Sequence, residues 1–362
     1  MAYNATLGAP GSVNNAGDRT ALFLKIFAGE VLAEFEAVNV MKRLHTIRTI
    51  SSGKSASFIV TGAAHSRYHT PGESLLEPDN LANKLGNEDN VGAGDKYLST
   101  IPHNERVIHI DKLLISSAFI DDLDAAMSQW DIRSTYASEI GKELSKQFDI
   151  NALNTVIGCS RASATITGGK EGGAVDAGAA VLTDSDALLD AIAAAAQKLD
   201  ENNVSEGDRA VILSPALYWV LLNGVGTETD SRAHLVHHDV TNANGDVAKG
   251  TLLQAYGFTI FKSNNIPATT AVSADTGGRS DPGVGTDNDV YGGVSDASGY
   301  HGDTADTVGV AFHKSAIGTV KLLDLSVQSD YMISHQGSLL CARYAMGHNY
   351  LRPEAAVEIT KA

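Results

Sequence analysis

Apolar residues recur three, four or seven positions apart from Leu123 through Met127, Trp130, Ala137, Ile140, Leu144 and Phe148, and on to Leu153 and Ile157. Asp, Arg, Ser, Glu and Lys fill the positions between them. This spacing gathers the apolar side chains on one face of a helix. About 35 residues at 1.5 Å rise make a rod roughly 50 Å long. Such a rod is long for a compact domain, so the spacing predicts an elongated molecule with this helix as its spine. Met127, Trp130, Ile140 and Leu144 are expected to form the buried face of the spine.

The flanking segments read as strands and loops. Residues 1–18 are small and polar and read as an arm. Ala21–Phe35 carries an amphipathic stripe with Asp18 as a candidate N-cap. His45–Ile50 and Ser57–Thr61 are β-rich and are expected to form two strands around the turn Ser51–Lys54. A polar excursion from Gly62 to Glu105 follows, too long for an ordinary connection, and Arg106–Ile110 returns as a strand. Thr183 is expected to cap a second helix with apolar face Leu188, Leu189, Ile192, Ala196 and Leu199. Strand Arg209–Leu213, a helix opened by Pro215 and strand Phe258–Phe261 come next. Residues 268–307 hold eight Gly and seven Asp against one Arg, and read as an acidic, mobile insertion. Strands are expected at Val308–Phe312, Gly318–Leu325 and Ser338–Met346. The class is α+β.

Composition excludes several functions. The 362-residue chain carries 43 acidic against 27 basic residues, a net charge of -16. Tight, sequence-independent nucleic-acid binding needs Lys and Arg against phosphates, so this chain is suited to lie beside DNA without gripping it. Cys159 and Cys341 are far apart and lack a partner motif, so buried reduced thiols are expected rather than a disulfide framework. The N-terminus shows no signal-peptide pattern and no apolar run is long enough to span a membrane; a soluble protein made in a cytoplasm is expected.

Motifs that could carry chemistry are few. Ser52-Gly53-Lys54-Ser55 resembles the end of a phosphate loop, but Arg48 stands where that loop needs its first Gly. His234, His237 and His238 with Asp239 have metal-ligand chemistry, and a metal-dependent hydrolase built on them is the enzyme alternative. No zinc-protease glutamate lies between them, and a solvated or interfacial histidine patch is the simpler reading. Asp121, Asp122 and Asp124 stand where acids favour a helix N-terminus. No catalytic residue, cofactor site or metal site is assigned.

Six stretches in order carry a resemblance: Ala21–Glu34, Ile50–Ala56, Pro71–Ser74, Asp121–Gly141, Phe312–Leu325 and Tyr344–Ala355. Together they resemble the major capsid proteins of short-tailed double-stranded DNA phages, the podoviruses. The resemblance covers about half the chain and implies the capsid fold shared by tailed phages and herpesviruses. On that plan, residues 1–49 form an N-terminal arm and 50–110 an extended hairpin, the E-loop. Residues 111–165 and 316–362 form a peripheral domain around the spine helix, and 166–315 an axial domain. The implied function is an icosahedral virion shell of hexamers and pentamers around packaged double-stranded DNA, assembled with a scaffolding protein and a portal. Lys54, Arg67 and Glu73 are expected at subunit interfaces. A bacterial compartment shell of the same fold is the second alternative.

Overall fold

A computed structural model describes residues 39–62, 101–123, 132–166, 169–223, 254–266 and 304–361. It also describes 31, 33–35, 64, 66, 68–69, 71–72, 245–246, 251–252 and 300. The spine is helix α1, Ile132–Arg161, thirty residues and about 45 Å long. Ala137, Ile140, Leu144 and Phe148 are buried along one face, Ile140 and Leu144 at 6% and 2% exposure. From Ala152 to Ser160 every residue is buried, polar Asn154, Thr155 and Ser160 included. An amphipathic stripe suits a helix lying on one sheet; burial all round means that the second half of α1 runs between two layers. Thr155 and Ser160 bond back to the carbonyls of Asn151 and Ile157, which satisfies their hydroxyls inside the helix. Met127 and Trp130 lie outside the described residues. Leu123 departs from the expected stripe: it is exposed, just beyond the strand that ends at Asp121.

The first layer is a sheet ordered β1-β12-β13-β4, from Thr46–Thr49, Ile317–Met332, Gly337–Tyr350 and Leu114–Asp121. β12 and β13 make a long antiparallel hairpin, in register from Ile317↔Tyr350 to Met332↔Gly337 with shifts near Leu323. Both strands outrun their expected ends: 326–332 carries mostly polar residues whose exposure alternates along the strand, so no apolar run marks the extension in the sequence. β4 adds antiparallel to β13 and β1 adds parallel to β12. Leu114, Ala118 and Ile120 turn toward the main core while Ile115 and Phe119 stay exposed.

The second layer is a sheet ordered β5-β14-β11-β6-β10-β9. Its strands are Gly173–Asp176, Ala356–Thr360, Thr307–His313, Arg209–Leu213, Phe258–Lys262 and Gln254–Ala255. β6 is buried at all five residues, as a central strand covered on both faces must be. Helices α2, Ser185–Glu201, and α3, Pro215–Asn223, belong to this layer. Asp184, not Thr183, caps α2: its carboxylate accepts the Asp186 N–H at 2.9 Å. The buried α2 face uses Ala195, with Ala196 only partly covered. Two small pairs complete the described strands: β2, Ser55–Thr61, with β3, His103–His109, and β7, Gly245–Asp246, with β8, Thr251–Leu252.

Three expectations change with this topology. The strands on either side of Ser51–Lys54 do not pair with each other: β1 joins β12 and β2 joins β3, because Gly53 at φ 113 redirects the chain between them. Two boundaries of the expected domain division cut across sheets: β1 (before residue 50) sits in the first sheet rather than in a free arm, and β14 (after 316) sits in the second. The insertion 268–307 is not uniformly loop: Tyr300 is fully buried, and β11 begins at Thr307.

The two layers are tied at the end of the spine. Arg161 donates to both Glu358 oxygens, Nε to Oε2 at 2.7 Å and Nη2 to Oε1 at 2.6 Å, and the Glu358 side chain is almost wholly buried. Earlier along the helix, Gly141 permits close approach: a Cβ there would stand 2.8 Å from the Val31 carbonyl oxygen. Gly within a helix costs about 0.5–1 kcal/mol relative to Ala. Here it lets Val31, Glu34 and Phe35 lie on α1, with the Phe35 ring edge-on to Phe148 and Tyr344.

Leu144→Ala should destabilise the subunit by about 2–5 kcal/mol, as truncation in a packed core does; a denaturant midpoint with unchanged slope is the check. Replacing residues 275–298 by a short Gly/Ser linker should leave the unfolding free energy within about 1 kcal/mol of the parent, while extending the replacement through Tyr300 should lower it clearly, since a buried aromatic is lost.

Candidate assembly interface

The β2–β3 ribbon projects from the first sheet and is held by one face and one root. Ala56 and Ile108 pack with Val320 and Leu351, with Phe58 alongside. The Arg106 guanidinium lies 3.9 Å from the centre of the Tyr350 ring. Arg48 Nη1 donates to the Ser57 carbonyl at 2.7 Å. At the root, glycine permits contact that any side chain would prevent. A Cβ at Gly347 would fall 1.9 Å from the His109 carbonyl oxygen, and one at Gly318 would press on Ile108 and Leu351. The opposite face carries Ile59 at 78% exposure, with Val107 and Glu105 also exposed. Its far end closes through the Gly62 N–H to the Pro102 carbonyl, and Tyr68 beyond it is exposed.

An exposed Ile on a two-stranded ribbon is uncovered apolar surface on an element that is marginal alone. The outward side of the four-stranded sheet adds Ile115, Phe119 and Leu323. These surfaces suit contact with another macromolecule, not a small ligand.

Of the sequence candidates for this surface, Lys54 is exposed in the turn before β2, and its carbonyl accepts the Ile110 N–H at 2.9 Å. Arg67 and Glu73 lie outside the described residues, as do His234, His237, His238 and Asp239. Among the described residues no group of three or more His, Cys, Asp or Glu could hold a metal. Ser52–Ser55 leads into a strand, so its amides are not a helix N-terminus. Asp121 Oδ1 accepts the Leu123 N–H at 2.7 Å, and Asp122 Oδ2 accepts the Tyr331 hydroxyl at 2.6 Å. Both acids are thus occupied structurally, and Asp124 lies outside the described residues. Cys159 is buried, and burial pushes its thiol well above the ordinary range. Cys341 is half-buried, contrary to the expectation for both thiols, because its strand position faces the open side of the sheet.

The titratable groups with the largest perturbations are internal. His45 Nδ1 donates to the Met41 carbonyl at 2.7 Å, which leaves Nε2 to accept the Thr319 hydroxyl at 2.7 Å. Thr319 Oγ1 in turn accepts from His348 Nδ1 at 2.7 Å. Burial pulls His45 down to about 4, and burial with the neighbouring His45 pulls His348 down to about 3. Asp149 accepts the N–H groups of Val40 and Met41 at 3.1 Å each, yet burial raises it to about 6. The Tyr300 hydroxyl reaches Asp111 Oδ2 at 2.8 Å and takes the His348 N–H at 2.7 Å. Sequence reading passed over these residues, since a buried and an exposed polar residue look alike in one sequence. His45 and His348 are sealed from solvent, which suits them to packing rather than to proton transfer with a substrate.

The comparisons with known proteins agree with a shell subunit. The Gp10A-like major capsid protein family matches residues 57–360. The major capsid protein of Escherichia phage T7 is 33% identical over 351 residues, covering 94% of this chain and 92% of that relative. The solved capsid structure of cyanophage P-SCSP1u superposes with a TM-score of 0.67 at 32% identity, covering 99% of this chain and 98% of that one. The mature capsid of bacteriophage PhiM1 has a TM-score of 0.60 at 15% identity over 89% and 86% of the two chains, a likeness of fold. The fold is thus the α+β capsid fold of tailed phages, and the chain belongs to the Gp10A-like family of major capsid proteins.

Proposed function

We propose that this chain is the repeated subunit of an icosahedral phage head, self-assembling as hexamers and pentamers around packaged double-stranded DNA. The observation that carries this reading is the 33% identity to a podovirus major capsid protein across 94% of the chain. The same observation favours a phage head over a bacterial compartment shell or a hydrolase, and the role is structural rather than catalytic.

Residues 50–110 act as the extended hairpin. Its inner face is fixed by Ile108 and Arg106, while Ile59 and Val107 face outward. A neighbouring subunit covers that outward face, with Lys54, Arg67 and Glu73 making polar contacts across the boundary. Exposed ion pairs contribute about 0–1 kcal/mol each. Repetition of one contact around a closed shell makes such small contributions decisive. Residues 111–165 with the β12–β13 hairpin form the peripheral part, and the second sheet with α2 and α3 the axial part. The net charge of -16 lets DNA lie beside the shell without adhering to it, and a scaffolding protein and a portal are the expected assembly partners.

Deleting residues 64–100 should leave a folded, soluble subunit that forms no closed shells. Circular dichroism reads the fold and sedimentation the particle; complete shells from the deleted protein would refute the clamp. Changing His234, His237 and His238 together to Ala should leave shell yield unchanged, and chelator treatment should not disassemble particles; stoichiometric zinc whose loss disassembles them would overturn the non-metal reading.

A further inference from the structure

One internal device is not explained by shell building alone. Residues 39–49 precede β2 and are held to the rest of the molecule by side chains from several elements. Asp149 on α1 takes the Val40 and Met41 N–H groups, and within the segment Asn39 Oδ1 takes the Lys42 N–H at 2.7 Å and shapes the turn that presents them. β1 pairs with β12 along one edge only, over four residues. Between these attachments His45 enters the core, 3% exposed, and meets Thr319 of β12 and, through it, His348 of β13.

We infer that the chain of hydrogen bonds from His348 through Thr319 to His45 is an acid-sensitive latch that holds residues 39–49 against the spine helix and the first sheet, and releases them before the rest of the molecule unfolds.

The geometry supplies the reason. The Met41 carbonyl can only accept, so His45 carries its proton on Nδ1 and presents Nε2 as a lone pair. Thr319 gives its single proton to that lone pair and accepts from His348 Nδ1, so the chain runs in one direction with no vacancy. A further proton on His45 would put an N–H where Thr319 already donates; the Thr319 oxygen can take it on its second lone pair, but with His348 protonated on Nδ1 the Thr319 hydroxyl proton then loses its acceptor. One donor must then go unsatisfied in a site closed to water, beside a new buried charge. The Phe148 ring stands edge-on to His348 at 5.0 Å and tilted to His45 at 5.9 Å, and offers neither an acceptor oxygen.

Lys314, before β12, lies close enough to His45 to oppose its protonation. Lys42 stands over the Phe35 ring, and Lys321 pairs with Asp324. Asp111 is linked to the His348 backbone through the Tyr300 hydroxyl. Asn265 donates to Asp149 at 3.4 Å.

The signs of linkage follow. Both histidines are depressed in the closed state, so the opened segment takes up protons more readily below about pH 6.5, and closure weakens until pH passes about 4 for His45 and about 3 for His348. Asp149 is raised to about 6, so between about 6 and 3.8 acidification favours closure through that group. Two histidines with larger displacements outweigh one carboxylate with a smaller one, and acid opens the latch.

Hydrogen exchange on the full-length protein, stepped from neutral to acid pH with protection corrected for intrinsic rates, tests this. Amides of 39–49 should lose protection at least about tenfold at a pH where β6 amides keep theirs. His348→Asn supplies an Nδ2–H in place of Nδ1–H but cannot titrate there, and should move the loss at least about half a pH unit lower. Lys314→Gln removes the opposing charge, raises the closed-state affinity of His45 for a proton and should move the loss lower by a smaller step; Lys314 is exposed, so this variant folds even if the first does not. Loss of 39–49 and β6 protection together overturns the latch. So does a parental midpoint in His348→Asn, or in Lys314→Gln should His348→Asn not fold.

Discussion

Helix α1 must be solvated by protein on every side over its second half, and most other features of the subunit follow from that demand. Its first half needs only one covered face, supplied by β4, β12 and β13. From Ala152 onward the helix passes into the second layer, against β14, β5 and β11. A helix covered on all sides cannot leave polar side chains unpaired. Thr155 and Ser160 turn back on the helix, and Arg161 at its end reaches the nearly buried Glu358 with two short hydrogen bonds. Breaking such a pair from one side leaves a desolvated charge, a cost of about 3–5 kcal/mol when fully buried. Arg161 is partly exposed, which places the cost at the lower end here. The pair therefore also fixes the placement of the second sheet on the spine.

Small residues set the other distances. Gly141 brings Val31, Glu34 and Phe35 onto the spine, Gly347 and Gly318 bring the ribbon onto the first sheet, and Gly337 lets the β12–β13 turn meet β4, where a Cβ would lie 2.4 Å from the Ile120 carbonyl oxygen. Each of these glycines sits in a regular element where Ala would have the better propensity. They concentrate where a peripheral segment crosses a rigid layer. On the proposed shell role, such crossings root the β2–β3 ribbon firmly while its outer face stays exposed.

Much of the fold was legible in the sequence. The three described α-helices, the strands of the second sheet apart from β5, β9 and β14, and the two long C-terminal strands all announce themselves by periodicity or by β-rich runs. What escaped was pairing. Nothing in Thr46–Thr49 distinguishes a hairpin with Ser55–Thr61 from a parallel edge on the distant β12, where Thr46 pairs with Gly318, since both bury the same short segment. The five residues of β14 were missed for a related reason: Ala356–Thr360 is too short to show a period, and Glu358 in its middle reads as surface.

By itself the sequence determined the elongated spine, the α+β class and, through ordered resemblances at both ends, the capsid fold and role. Apolar spacing is a local property, recorded residue by residue, and a family pattern survives in one sequence. Only the tertiary structure decided which polar residues are buried. His45, Thr319 and His348 are 274 and 29 residues apart along the chain and meet because the bend before β1 comes to lie against β12 and β13. Tyr300 leaves an acidic, Gly-rich segment to enter the same core. Burial of a polar group depends on what is packed over it from distant parts of the chain, and that information exists only once the layers have closed.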